Sequence, residues 1–378
     1  MPLQRDETNN SKRIAYFVSP HGFGHAARAA AVMQAISDID ASVEFEIFTT
    51  VPSWFFQDSM SVPFNYHTQL TDVGLVQITA FQADLNKTVG RLNDFLPFPA
   101  SLIAELAATI TALNCVLIIC DISPMGITVG CEAGIPAVLV ENFTWDWIYE
   151  QYASADSGFN RHINYLRTCF QAVDYRIKTE PVCCSTSADL TASPVSRQVK
   201  ASSDRVRKGL GLSETAQMVL ITTGGIKQSY NFLNELKRLP DIHFVMPGAG
   251  PKMKIQDNCI ILPHRSDHYH PDLVNASDAV VGKVGYSTLA EVYHAGVPFG
   301  YVARSNFRES KPMTAFIEEK MQGVSLKESD FSSGRWTARL QDLLNLNRVQ
   351  RRLTNGAESI GRFIRDRILR NPKERMPA

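Results

Sequence analysis

The stretch Gly282-Lys283-Val284-Gly285-Tyr286-Ser287-Thr288-Leu289-Ala290-Glu291 comes after the apolar residues Ala279, Val280 and Val281 and opens a helical pattern of Leu289, Val292 and Tyr293. The apolar run reads as a buried strand, so the glycines fall in a strand-to-helix turn. Such a turn gathers free backbone N–H groups and the positive end of a helix in one place, which binds phosphate or another anion. Ser287 and Thr288 add hydroxyl donors in the first turn. Glu291 stands on the same helical face, where a carboxylate accepts hydrogen bonds from a ribose diol. On spacing alone the stretch fits equally an ordinary turn whose Ser or Thr caps the helix. The downstream residues favour the binding reading: Ala295-Gly296-Val297-Pro298 ends the helix, and the next apolar run leads to the polar segment Arg304-Ser305-Asn306-Phe307-Arg308-Glu309.

The chain opens with the same pattern. Residues 13–18 form an apolar run of strand type, followed by Ser19-Pro20-His21-Gly22-Phe23-Gly24-His25 and an Ala-rich helical segment over 26–36. Strand, glycine loop and helix begin a doubly wound domain. Gly22 and Gly24 are not followed by a third glycine three residues on, and the strand at 43–48 runs into Thr49-Thr50 rather than an acidic residue. Both departures argue against a nicotinamide or flavin site. His21 and His25 lie at the C-terminal end of the first strand, where open α/β sheets carry their chemistry.

Further strands are expected at 64–67 and 116–120, with a helix over 100–113 between them. Asp121 stands immediately after the second of these. A buried strand at 137–140 leads to Glu141-Asn142-Phe143-Thr144-Trp145-Asp146-Trp147-Ile148-Tyr149, whose polar and aromatic mixture reads as a binding lip. From 183 to 203, Ser, Thr, Ala and Pro without periodicity mark an inter-domain linker. A second α/β set comes after it: strand 218–222, turn Thr223-Gly224-Gly225, helix 229–239, strands 243–246 and 259–262, the stretch quoted above, and strand 299–302. The expected fold class is α/β, with two facing, doubly wound (Rossmann-like) domains over 1–195 and 196–345. A helical, Arg-rich pattern runs from 340 to 369, and the segment 346–378 is expected to pack back across the domains.

The 378 residues suit two domains, and 44% hydrophobic with 20% charged residues is ordinary globular composition. Thirty-eight basic residues balance 38 acidic ones, so no net field draws in nucleic acid or an anionic membrane. The Arg-rich tail lacks interleaved aromatic platforms, which again argues against nucleic acid. Residues 1–13 are polar, and no apolar run is long enough for a transmembrane segment. Seven scattered cysteines without metal spacing read as reduced thiols, and cytoplasmic localisation is expected.

Taken together, these motifs resemble the GT-B class of glycosyltransferases. In particular they resemble the glycosyltransferase-like N-terminal part of plant L-arabinokinase and its free-standing bacterial relatives. The likeness rests on His21-Gly22-Phe23-Gly24-His25-Ala26-Ala27-Arg28, on Asn142-Phe143-Thr144-Trp145-Asp146-Trp147-Ile148-Tyr149, on the stretch 282–291, and on Asn306-Phe307-Arg308-Glu309. The phosphate loop Pro-x-x-Gly-Leu-Ser-Ser-Ser-Ala of the sugar-kinase part does not occur in these residues, so arabinose phosphorylation is not carried over. The resemblance implies a nucleotide diphosphate, with UDP expected, at Gly285, Tyr286, Ser287 and Thr288, and ribose hydroxyls on Glu291. It further implies phosphate or sugar near Gly224 and Gly225, the base against His264 and Arg265, and donor-sugar hydroxyls on Glu309. His25 takes the place of the family's catalytic base and Asp121 that of its orienting acid. Two departures stand out: the second histidine, His21, which leaves the base assignment open, and the missing Gln after Glu309.

Glycosyl transfer needs a base near neutral pKa, which histidine supplies when a carboxylate holds its tautomer. It also needs fixed donors for the departing diphosphate, here backbone N–H groups, Ser287, Thr288 and Lys283. Closing two domains over the cleft excludes water. No cofactor is expected beyond the nucleotide sugar as co-substrate, and no metal: Asp38-Ile39-Asp40 ends a helix away from the cleft, and His264, His268 and His270 lack a carboxylate partner of evident geometry. The expected function is a sugar-nucleotide-dependent, inverting, metal-independent glycosyltransferase. Its acceptor, which the sequence does not identify, would be bound by loops over 81–99 and 144–159. The alternatives are a non-catalytic sugar-nucleotide-binding module and a GT-B-type epimerase or hydrolase.

Overall fold

The computed structural model describes residues 12–224, 230–351 and 354–370. The first sheet comprises β1 (Lys12–Val18), β2 (Val43–Thr49), β3 (Phe64–Thr68), β4 (Cys115–Asp121), β5 (Ala137–Glu141), β6 (Tyr175–Thr179) and β7 (Leu190–Ala192). Their order is β3-β2-β1-β4-β5-β6-β7, and every pair is parallel. The second sheet comprises β8 (Gln217–Thr222), β9 (Ile242–Gly250), β10 (Lys254–Gln256), β11 (Cys259–Pro263), β12 (Ala279–Lys283), β13 (Phe299–Val302) and β14 (Gly323–Leu326). Its order is β10-β11-β9-β8-β12-β13-β14, parallel except where β10 runs against β11.

Parallel strands are covered by helices on both faces, so they read as unbroken apolar runs rather than alternations. Ile14, Ala15, Tyr16, Phe17 and Val18 are all fully buried, as are Val219, Leu220 and Ile221 at the centre of the second sheet. In each sheet the strand order reverses beside the first strand, between β1 and β4 and between β8 and β12. Crevices open at the C-terminal ends of strands at such reversals. The first reversal brings together the loop after β1 and Asp121 at the end of β4. The second brings together the turns after β8 and β12.

The helix Phe23–Ile39 is buried from Ala26 to Met33, because it is covered on more than one side. It packs on its own sheet, on the helix Tyr286–Ala295 of the second domain and on the helix Gly356–Phe363 from the C-terminal region. Small residues permit this. A Cβ on Gly361 would lie 3.1 Å from the Ala35 carbonyl oxygen, and one on Gly356 would lie 2.0 Å from that of Ser193. The C-terminal helix thus lies against the first domain.

Several expectations need correction. The first helix begins at Phe23, so His25 sits in its first turn rather than in the preceding loop. The helical pattern expected over 340–369 is interrupted: Leu340–Leu344 ends at Asn345, and Asn355 starts Gly356–Phe363 by accepting a hydrogen bond from the Ala357 N–H. Asparagine bonds local backbone more readily than it continues a helix. Of the helix expected over 229–239, Leu233–Leu236 is helical, while residue 229 lies outside the described residues. The segment read as linker contains the edge strand β7. Four strands (β6, β7, β10 and β14) were not expected, three of them short and at or next to a sheet edge where apolar patterning is weak.

Candidate active site

Two glycine turns meet across the cleft. The helix Phe23–Ile39 starts at Gly22, whose φ of 75° suits glycine alone, and Tyr286–Ala295 starts at Gly285; neither start is capped by a side chain. The two first turns face each other: a Cβ on Gly24 would lie 3.7 Å from Ser287 Oγ. Each helix start presents uncompensated N–H groups and a partial positive charge. Two of them converging from separate domains make a stronger anion site than either alone. Ser287 and Thr288 line this place together with Gly224, whose φ is 71°. Gly225 lies outside the described residues.

One turn into the first helix, His25 Nδ1 meets Asp121 Oδ1 at 2.8 Å. Arg28, three residues on and hence on the same face, binds both oxygens of that carboxylate, through Nε at 2.8 Å and Nη2 at 2.7 Å. Burial by itself would raise the Asp121 pKa, but Arg28 and His25 outweigh it and the carboxyl is held below its ordinary value. An ionised Asp121 accepts a hydrogen bond from the Nδ1–H of His25, which leaves the Nε2 lone pair available.

His21 is arranged the opposite way. Its Nδ1 accepts the Leu75 backbone N–H at 3.3 Å, so in the neutral ring the proton sits on Nε2. Burial, then His25 and Arg304, drive its pKa well below the ordinary value, and the Trp145 ring packs edge-on at 5.0 Å. The geometry separates the two histidines between which the sequence left the base assignment open: His25 keeps an Nε2 acceptor, His21 an Nε2–H donor. The aromatic segment expected to be a lip is instead the wall behind them, with Phe143, Trp145 and Tyr149 buried.

Beyond the facing helix starts lies a polar chamber lined by His21, His25, Lys283, Arg304 and Glu309. Lys283 is buried and forms no ion pair among the described residues; burial, then Arg304, pull its pKa down to about 7 against the pull of Glu309. Glu309 comes from the second domain, yet its Oε1 accepts from Asn142 of the first at 2.8 Å. Asn142 Oδ1 in turn accepts from Arg28 at 2.8 Å, so the His25–Asp121 pair and Glu309 belong to one buried network. Tyr286 serves this network from below, its ring 4.7 Å from the Arg28 guanidinium and its hydroxyl accepting the Val195 N–H.

On the other side of the helix starts is a second chamber with an aromatic wall from each domain: Phe23, Trp54 and Phe55 against His264, Arg265 and Tyr269. The Phe23 and His264 rings are 5.1 Å apart, and the Arg265 guanidinium lies 5.4 Å over Trp54. Glu291, expected to face this space, is buried beneath it. Its Oε1 accepts from Arg197 at 2.9 Å and its Oε2 meets His270 Nδ1 at 2.6 Å, so Arg197 and His270 form the surface there. An open carboxylate on this helix face would sit unpaired in the interior, and the contacts with Arg197 and His270 resolve that cost. Sequence reasoning missed Arg197, His270 and Trp54 as contributors, and it gave no role to Arg28, although the i, i+3 spacing from His25 was visible.

No family model matches the chain. It is 28% identical over 358 residues to L-arabinokinase of Arabidopsis thaliana, covering 93% of this chain and 34% of that protein. It is 23% identical over 250 residues to the UDP-N-acetylglucosamine--N-acetylmuramyl-(pentapeptide) pyrophosphoryl-undecaprenol N-acetylglucosamine transferase of Bacillus licheniformis, covering 61% of this chain and 64% of that one. The chain therefore spans about a third of the plant relative and under two thirds of the bacterial one. In structure it resembles UGT71G1 of Medicago truncatula complexed with UDP-glucose, with a TM-score of 0.57, 12% identity and 96% of each chain covered, a likeness of fold. Two parallel-dominant sheets wound with alternating helices, their strand reversals opening on one cleft, give this chain the two-domain GT-B fold.

Proposed function

We propose that this protein transfers a sugar from a nucleotide diphosphate donor, with UDP as nucleotide, to a hydroxyl acceptor, with inversion and without a metal ion. The observation that carries the reading is the convergence of two uncapped helix starts on one spot, with the His25–Asp121 pair beside it. The diphosphate lies between the helix starts, held by backbone N–H groups, Ser287, Thr288 and Lys283. The nucleoside occupies the aromatic chamber, its base between Trp54 and His264 and its ribose on Arg197 and His270. The sugar enters the polar chamber, where Glu309 exchanges its Asn142 contact for a sugar hydroxyl.

His25 Nε2 then takes the proton of the acceptor hydroxyl. The acceptor oxygen forms a bond to the anomeric carbon, and the bond from that carbon to the phosphate oxygen breaks, its electron pair leaving with the diphosphate. Asp121 holds the tautomer and stabilises the imidazolium, while Arg28 holds Asp121. The His21 Nε2–H donates a hydrogen bond inside the same chamber.

Calorimetric titration with UDP, GDP, dTDP and ADP, with and without magnesium, tests the diphosphate site. Micromolar, magnesium-independent binding of UDP is expected; binding of no nucleotide sinks the reading. The chain's likeness to part of a kinase favours one second reading, a nucleotide-sugar-binding module without turnover. Donor consumption assayed with UDP-glucose separates the two: turnover lost in His25→Gln with UDP affinity kept supports the enzyme, and UDP binding without any turnover supports the module.

A further inference from the structure

Arg304 comes just after β13 and is buried (7% exposed), and its Nε has no hydrogen-bond partner among the described residues. Its guanidinium lies 3.5 Å over the Phe307 ring and comes no closer than 3.7 Å to Glu309 Oε2. The other Glu309 oxygen is already engaged by Asn142. A guanidinium presents a planar fork of donors, and leaving part of it unmet in the interior is costly until an anion fills it. Lining the same space, the side-chain amide of Gln77 is buried with neither its N nor its O partnered among the described residues.

Both residues line the polar chamber and also a third cavity of about 460 Å³, walled by Leu75, Ile78, Phe81, Leu85 and Tyr152. Three spaces therefore succeed one another along the cleft. The aromatic and polar chambers share Phe23, Gly224, Ser287 and Thr288, whereas the polar chamber and the third cavity share Gln77, Arg304 and Phe307. Arg304 also borders the third cavity, which no residue of the facing helix starts lines, and this side of the guanidinium is open to an anion other than the diphosphate.

We infer that Arg304 and Gln77 form a carboxylate-binding subsite at the junction of the polar chamber and the third cavity. The Arg304 fork takes the two carboxylate oxygens and the Gln77 amide fixes their orientation. The identification of the carboxylate's source, donor sugar or acceptor, rests on the proposed glycosyltransferase reading; the subsite itself does not.

The test is calorimetry on the full chain at neutral pH, for the wild type, Arg304→Gln and Arg304→Lys. UDP-glucuronate against UDP-glucose probes a donor carboxylate. Binding of 4-hydroxybenzoate against 4-hydroxybenzyl alcohol, with and without UDP, probes an acceptor carboxylate. At least one acid is expected to bind about tenfold tighter than its uncharged counterpart, a preference lost in Arg304→Gln and partly kept in Arg304→Lys; each preference is a ratio within one variant, so a change in UDP affinity passed through Lys283 cancels. If UDP binds but neither acid is preferred, or the preference survives Arg304→Gln, the subsite is overturned and the glycosyltransferase reading stands. If no nucleotide binds while 4-hydroxybenzoate shows the Arg304-dependent preference, the reverse holds.

Discussion

His25 and Asp121 have different things to lose. On the proposed reading, changing His25 to Gln removes the Nε2 base but leaves the Arg28–Asp121 pair intact, so kcat is expected to fall about 10²–10⁴-fold with UDP affinity retained. Asp121→Asn leaves the buried Arg28 guanidinium without its anion, so loss of stability by about 3–5 kcal/mol should accompany the loss of turnover. Denaturant melts beside steady-state rates distinguish the two variants; equal destabilisation by both would refute this division of roles. Lys283 adds a pH dependence. Its pKa is drawn from 10.5 to about 7 in the folded chain. Between those values the unfolded chain holds a proton that the folded chain lacks, so stability rises with pH by about 1.4 kcal/mol per unit from this group. In Lys283→Met that slope should vanish between pH 7.5 and 9.5. A diphosphate beside Lys283 restores its charge, so UDP binding above pH 7 should take up protons and weaken as pH rises. Calorimetry in buffers of differing ionisation enthalpy reads that uptake directly.

At the scale of the element, backbone proximity decides what substitution is tolerated. Gly356 begins the helix that docks on the first domain, and a Cβ there would overlap the Ser193 carbonyl, a backbone atom that cannot swing aside. Gly356→Ala is expected to cost about 1–3 kcal/mol and to speed hydrogen exchange in Gly356–Phe363 and β7 while leaving β8 and β12 protected. Uniform exchange across both sheets would show that the helix is not a separate cooperative brace. The two helices that start at Gly22 and Gly285 were legible as elements because a strand, a glycine turn and an apolar helix succeed one another in sequence. Their facing one another was not, since the chain between them is more than 250 residues long and neither turn carries a mark of the other.

The whole molecule joins its domains through polar contacts at both ends of the cleft. Asn142–Glu309 and Tyr152–Asn306 lie on one side, and Arg197–Ser59 and Tyr269–Ser59 on the other. On the proposed reading the base is gripped by one wall from each domain. Trp54→Ala should therefore weaken UDP by about tenfold and leave inorganic pyrophosphate binding unchanged. Equal losses for both ligands would place Trp54 in general support of the cleft instead.

The sequence by itself determined the doubly wound architecture and the glycine turns, because buried parallel strands and strand-to-helix turns are local signals written in consecutive residues. It also picked out His21, His25, Asp121 and Lys283 from their positions at strand ends, while Glu309 came from the resemblance to a family. The tertiary structure alone decided how these residues are paired. Which ring nitrogen of each histidine carries a proton depends on Asp121 and Leu75, far along the chain. The burial of Glu291 depends on Arg197 and His270, and the unmet charge of Arg304 depends on an ion pair left long. Partners of this kind are fixed by how two sheets close on a shared cleft, and no local pattern encodes that closure.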